Sequence, residues 1–257
     1  MRKKTDKIII KTPDEIKSMA TGGRKLGKIR KRLMNTIDEG VSAAKIENLA
    51  DILIKKEGGS PSFKMVPGYS WATCVNVNEG LVHGIPKESV VFKKGDIVSV
   101  DVGMCFEGFH TDASFTVGIL PTKEVRDFLD VGRAALKKAI SEAYPGNKIY
   151  DISKAIQTTL RKNKLYPIKA LVGHGVGKNL HEVPQIPCFI KAPREKTLTI
   201  PEGAVLAIEV MYTKGLPEVK VENDGWTIST KDGKITGFFE ETVAVTGNGP
   251  IVLTEMN

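Results

Sequence analysis

The sequence predicts an α+β fold of two pseudo-symmetric halves, each running helix, helix, loop, strand, strand, around a central antiparallel sheet. Three observations carry this. Amphipathic helical stripes open near Thr12 and Ser42, and again near Thr122 and Asp151. Strand-like runs rich in Val, Phe and Thr follow each pair, at 97–117 and then at 204–212 and 237–246. Short motifs recur in the same order: His-x-x-Pro at His83 and His181, and a glycine, five mostly apolar residues and an acid at Gly95–Asp101 and Gly203–Glu209. The halves are expected to span about 12–119 and 120–248 of one domain covering 1–257.

In the first half, Thr12-Pro13-Asp14-Glu15 has the form of a capping box, and Ile16, Met19, Ala20, Leu26, Ile29 and Leu33 form the stripe. Gly22-Gly23 should loosen this helix. Ser42 opens the next, with Ile46, Leu49, Ala50, Leu53 and Ile54 inward and Gly58-Gly59 as the stop. The stretch 60–89 reads as irregular. In the second half Thr122 caps a helix with Phe128, Leu129, Ala134, Leu136 and Ile140 inward. A further helix over about 151–163 buries Ile152, Ala155, Ile156 and Leu160. The glycine-flanked Gly173-His174-Gly175-Val176-Gly177 and His181-Glu182-Val183-Pro184 then read as irregular loops.

Composition bounds the function. A chain of 257 residues, 41% hydrophobic and 26% charged, suits one soluble globular domain. No apolar run approaches the ~20 residues of a membrane span. The basic start, Met1 to Lys11, carries an apolar run shorter than the roughly 7–15 residues of a secretory signal, so the cytoplasm is the expected compartment. The three cysteines, Cys74, Cys105 and Cys188, form no CxxC, which argues against a disulfide framework or a zinc knuckle. Any metal should be held by oxygen and imidazole. The net charge of +8 permits association with an anionic surface such as RNA but is equally served by a solvated surface.

The stretch 97–117 predicts a β-hairpin. With its turn centred on Phe106-Glu107, Asp101 and Asp112 would face each other with Cβ atoms about 4.5–5.5 Å apart. Two like charges so placed repel, and a divalent cation between them removes that cost. A solvated sheet edge with two unrelated acids is the alternative. Two further acids, Glu209 and Glu240, interrupt apolar strands, where a carboxylate is costly unless paired or metal-bound. His174 has glycine neighbours that allow close approach to a site. Of the four histidines, His83, His174 and His181 precede the acid-bearing strands, and His110 lies two residues from Asp112. Four carboxylates and an imidazole suit two hard or borderline divalent ions sharing an ionised water, a hydrolase layout. Other motifs fail: Gln185 breaks HExxH after His181, Val172 and Asn179 break a P-loop ending at Lys178, and no G-x-S-x-G elbow occurs.

The segments V-N-E-G-L-V-H-G-I-P, D-V-G-M-C-F-E-G-F-H-T-D-A-S, G-H-G-V-G-K-N-L-H-E-V-P, A-I-E-V-M and F-F-E-E-T resemble those of type I methionine aminopeptidases, M24-type metallopeptidases of the pita-bread fold. The resemblance covers nearly the whole chain. It implies metal ligands at Asp101, Asp112, His174, Glu209 and Glu240, with Asp112 and Glu240 bridging two divalent ions (Co, Mn, Fe or Zn). It implies substrate contacts from His83 and His181, a methionine pocket lined by Tyr69, Cys74 and Trp226, and Glu209 as proton acceptor, so that His83, His181 and Glu209 form the catalytic group. Nascent polypeptide N-termini are the expected partners, with room for transient ribosome association, no membrane partner, and a monomeric state. Val66 and Leu180 stand where the family commonly has an aromatic, and Val210 where it usually has Pro. These departures bear on pocket shape. The spacing of Glu209 and Glu240 leaves no room for the type II insertion, and no N-terminal zinc-binding extension is expected. The rival expectations are an Xaa-Pro-type aminopeptidase and an inactive pita-bread module that binds RNA or the ribosome.

Overall fold

The structure is a computed structural model and describes residues 7–256; the basic stretch 1–6 lies outside the described residues. The first half contains helices α1 (Pro13–Met34) and α2 (Ala43–Lys56) and strands β1 (Ser60–Pro61), β2 (Thr73–Val77), β3 (Gly80–Val82), β4 (Ile97–Phe106) and β5 (Phe109–Gly118). The second contains α3 (Lys123–Ser141), α4 (Ile149–Lys162), β6 (Tyr166–Pro167), β7 (Val172–Gly175), β8 (Glu182–Pro187), β9 (Val205–Thr213), β10 (Val219–Val221), β11 (Ile228–Thr230), β12 (Thr236–Thr246) and β13 (Gly249–Val252). None of the described helices is long and apolar enough to cross a membrane.

Local chemistry sets the helix ends. The Thr12 hydroxyl accepts from the Glu15 amide while the Glu15 carboxylate accepts from the Thr12 amide, completing the capping box. Ser42 and Thr122 cap α2 and α3 through their hydroxyls. Gly22 and Gly23 do not loosen α1, contrary to expectation. Helix continues through them, and a Cβ on Gly23 would collide with the Leu253 carbonyl, so the glycines admit the C-terminal segment against the helix. On α3 the inward alanines are Ala135 and Ala139; Ala134 is exposed.

Two apolar cores underlie the two halves. Leu26, Ile46, Ile54, Val98 and Val100 belong to one, and Leu136, Ile152, Ile156, Leu206 and Ile208 to the other. Each such fully buried aliphatic side chain stabilises the fold by about 1.5–3 kcal/mol before the entropy of ordering is subtracted.

In the first half β4 pairs with β1, β2 and β5; in the second the strand order is β13-β12-β9-β7-β8, with β6 also on β9. All pairings are antiparallel. The pseudo-symmetry reaches single hydrogen bonds. Gly95 and Gly203 both take positive φ, +90° and +81°, as the turn into β4 and β9 demands. Their amides donate to the Ile119 and Val245 carbonyls, each at 2.8 Å. The Phe92 amide reaches the Val41 carbonyl, and the Ile200 amide reaches that of Asn147.

The hairpin forms with a different register from the expected one. Glu107 and Gly108, at φ 51° and 80°, are the two central turn residues, so Phe106 pairs with Phe109. Both central residues at positive φ fit the right-handed strand twist. Asp101 therefore faces Ser114, and Asp112 faces Gly103. A two-residue shift preserves the face, which leaves Asp101 and Asp112 as diagonal neighbours on it. Three segments read as irregular also contribute strands, one of them His181-Glu182-Val183-Pro184, which runs into β8. Thr73–Val77 is β2. Gly173-His174-Gly175 lies in β7, between β8 and β9, where a Cβ on Gly173 would sit 2.7 Å from the Ala207 carbonyl oxygen. Glycine there signals crowding of neighbouring strands, a cause that local propensity does not reveal.

Candidate active site

Five strands deliver one donor each to a shared cavity of about 310 Å³: Asp101 from β4, Asp112 from β5, His174 from β7, Glu209 from β9 and Glu240 from β12. Glu209 and Glu240 are directly opposite each other on the β9–β12 ladder. All five are buried, and Glu240 is only 1% exposed. Ligand-bearing atoms of Asp112, His174 and Glu240 lie within 4.8 Å of one another.

Burial drives the electrostatics. It raises the carboxyls of Asp101, Glu209 and Glu240 well above the usual range, with repulsion from the neighbouring acids adding to it. Asp112 is pushed up to about 7 by burial, against the pull of the Ala113 amide and of Arg30. His174 is pushed down to about 4 by burial and then by His181, so its ring is neutral at pH 7. Its 3.5 Å contact from Nε2 to Glu209 Oε1 is therefore not an ion pair. The Nδ1–H donates to the Gly175 carbonyl at 2.9 Å, which leaves the Nε2 lone pair free toward the cavity.

Three carboxylate oxygens, Asp101 Oδ1, Asp112 Oδ1 and Glu240 Oε1, are buried with no hydrogen-bond partner. Buried oxygens without partners cost free energy, and a cluster of them is expected only where something else satisfies them. Oxygen and imidazole donors suit divalent ions of intermediate hardness, and the site can hold such ions. Arg30 is the cation whose field lowers Asp101, Asp112 and Glu240. It donates to Glu241 at 2.8 Å, to the Thr254 carbonyl at 2.9 Å and to the Ser114 carbonyl at 2.7 Å.

The residues expected to meet substrate line the same cavity. His83 sits at its wall with φ 57°, and His181 stacks edge-on against His174 at 4.5 Å between ring centroids. Burial lowers both, His181 adding to the effect on His83, so each is neutral at pH 7 with one N–H and one lone pair. Tyr69, Cys74 and Trp226 form the apolar end with Phe63, Val66 and Leu180. The Tyr69 hydroxyl donates to the Thr73 carbonyl at 2.9 Å, and its ring meets that of Trp226 edge-on at 5.1 Å. Val210 does not reach the cavity; it is fully buried in the second core, on the opposite face of β9 from Glu209. His110 is not among the cavity-lining residues and is held through Nδ1 by the Ser62 hydroxyl at 2.9 Å. Phe63, Met211 and Phe238 also line the cavity without having been read from sequence. Met211 and Phe238 were accessible in principle, because each lies two positions from a strand acid and so shares its face.

The convergence of buried acids from both halves defines a metal-dependent hydrolase of the pita-bread fold. The chain belongs to metallopeptidase family M24, whose sequence model matches residues 17–247, and within it to the methionine aminopeptidases. It is 41% identical over 251 residues to methionine aminopeptidase 1 of Bacillus subtilis, covering 97% of this chain and 100% of that protein. It is 38% identical to the methionine aminopeptidase of Clostridium perfringens over 248 residues, 96% of this chain and 98% of that one. The crystal structure of the Thermotoga maritima methionine aminopeptidase superposes with a TM-score of 0.93 at 40% identity, over 97% of this chain and 100% of that one. The prolidase of Pyrococcus horikoshii shares the fold, with a TM-score of 0.77 at 22% identity over 97% of this chain and 64% of its own.

Proposed function

We propose that this chain removes the initiator methionine from new polypeptides whose second residue is small, acting as a monomer in the cytoplasm on chains emerging from the ribosome. The observation that carries this is a single cavity lined both by orphaned carboxylate oxygens and by an apolar wall of aromatic rings and the Cys74 thiol. The cavity volume of about 310 Å³ accommodates a small substrate, and an unbranched thioether packs well against aromatic rings.

Asp101, Asp112, His174, Glu209 and Glu240 would hold the two divalent ions that the family resemblance implies. When bound, such ions supply Lewis acidity to a carbonyl and an ionised water at neutral pH. The protein does the rest. Tyr69, Cys74 and Trp226 enclose the methionine side chain and so fix the first peptide bond. Glu209 takes the proton of the attacking water on its carboxylate. His181, neutral, donates its N–H to the oxygen on which negative charge develops. His83 contacts the amide nitrogen as the C–N bond breaks and the nitrogen takes up the proton held by Glu209, which returns that carboxylate to its starting state. The products are free methionine and the shortened chain.

The deciding experiment is hydrolysis of Met-Ala-Ser and Ala-Pro peptides with Mn, Fe, Co and Zn in turn. Cleavage of Met-Ala-Ser alone is the expected result. Cleavage of Ala-Pro alone would place the activity with the Xaa-Pro peptidases, and turnover of neither would leave a binding module.

A further inference from the structure

β5 and β12 each bring an acid to the cavity, yet they belong to different sheets. Two threonine hydroxyls join them. Thr242 on β12 accepts from the Asp112 amide at 2.9 Å and donates to the Asp112 carbonyl at 2.7 Å. Thr116 on β5 accepts from the Phe238 amide at 3.0 Å and donates to the Phe238 carbonyl at 2.7 Å. The two clamps are related by the internal repeat. Asp101 faces Ser114 on one ladder, and its counterpart Glu209 faces Glu240 on the other. Ser114 thus corresponds to Glu240, Thr116 to Thr242, and Asp112 to Phe238. The same device grips a carboxylate-bearing residue in one direction and an apolar one in the other.

We propose that Thr242 is a positioning residue that fixes Asp112 relative to Glu240, two residues away on its own strand, and thereby sets the affinity of the site for divalent ions. This rests on the assignment of Asp112 and Glu240 as ligands. Both main-chain groups of Asp112 end on one hydroxyl, so the strand can neither slide nor rotate there without breaking two buried bonds. Outer partners of this kind orient ligands that must meet a fixed geometry. Thr116 is the internal control. It has one partner more than Thr242, the Ser99 hydroxyl at 2.8 Å, and the residue it grips carries no ligand atom. A purely structural role makes loss of Thr116 the more damaging; a ligand-positioning role makes loss of Thr242 the more damaging to metal binding.

The test uses the full-length protein equilibrated with Mn²⁺ at stepped free concentrations. Bound Mn is measured by elemental analysis, and the melting temperature is taken from the same samples. Thr242→Val should need about 10–100-fold more free Mn²⁺ for half occupancy, the usual effect of losing an outer-shell partner. Thr242→Ser should titrate with the wild type, as should Thr116→Val despite its larger loss of bonds. Should Thr242→Val fail to fold, Thr242→Cys, which keeps a weaker donor and acceptor, should still show a rightward shift. Thr242 variants that titrate with the wild type would overturn the proposal, as would Thr116→Val shifting as far as Thr242→Val. A wild-type chain that retains no Mn while an intact melting transition shows it folded would overturn the ligand assignment itself.

Discussion

Glu209 and Glu240 oppose each other directly across the β9–β12 ladder, whereas Asp101 and Asp112 stand diagonally across β4–β5. A like-charged pair directly opposite is the costlier arrangement for a sheet. The repulsion nevertheless crosses between the halves, because Asp112 is the neighbouring acid that most raises both Glu209 and Glu240.

Metal-free protein should lose stability as pH rises toward neutrality. Asp112 is raised from 3.8 to about 7, so between those values the folded state binds a proton that the unfolded state has released. Stability falls with pH wherever the folded state binds more protons. The raised carboxyls of Asp101, Glu209 and Glu240 have the same sign. His174, lowered from 6.5 to about 4, opposes them, because the unfolded ring gains a proton that the buried ring refuses as pH falls through that window. With carboxyls predominating, denaturant midpoints of chelated protein should fall between about pH 4 and pH 7. Asp112→Asn should flatten the profile, and an unchanged profile would contradict the assigned environment.

His181→Ala should leave bound metal intact and slow turnover by about 10²–10³-fold, the cost of one oxyanion donor. His174→Ala should lower metal occupancy instead, since its Nε2 faces Glu209 with Nδ1 anchored on Gly175. Metal content, melting temperature and turnover of the two variants separate the roles. Metal loss in the His181 variant would reverse them.

Arg30→Met should destabilise the fold by about 3 kcal/mol, the low end for leaving one partner of a buried pair uncompensated. Arg30 has a side chain 2% exposed and Glu241 one 14% exposed, so the stranded carboxylate would be largely shielded from water. Arg30→Met combined with Glu241→Gln should recover part of the loss, because no unpaired charge remains. A double-mutant cycle by urea unfolding measures this coupling.

Met-Ala and Met-Gly peptides should be hydrolysed, and Met-Leu and Met-Lys peptides should resist. Equal rates on Met-Ala and Met-Leu would show that the wall containing His83 and His181 does not screen the second residue.

The sequence carried the helices because stripes and caps are local. Thr12, Ser42 and Thr122 all cap as their positions suggest. The repeat was legible because an acid at a fixed distance from a glycine survives in one dimension, and Glu209 and Glu240 stood out because a charge inside an apolar strand is conspicuous, whereas His174 was read only from its glycine neighbours and the full donor set from the family resemblance. The hairpin register was not legible: whether Glu107 or Phe106 occupies a positive-φ position depends on strand twist as well as residue type. β7 was missed because its glycines answer to the crowding of β8 and β9, which no local window contains. Phe238 and Thr242 escaped because an apolar wall residue and a hydroxyl bonded to main chain look ordinary in a strand.

The donors are divided between two sheets, Asp101 and Asp112 on β4 and β5 and His174, Glu209 and Glu240 on β7, β9 and β12. Ions bound among them would act as a reversible cross-link between the halves. At a hundredfold excess over the dissociation constant, ligand binding adds about 2.7 kcal/mol to the folded state. The folded lifetime of such a chain then becomes a function of the free metal around it. Starvation for metal would not only idle the enzyme but loosen the seam between its halves, offering the unliganded copies to proteolysis first.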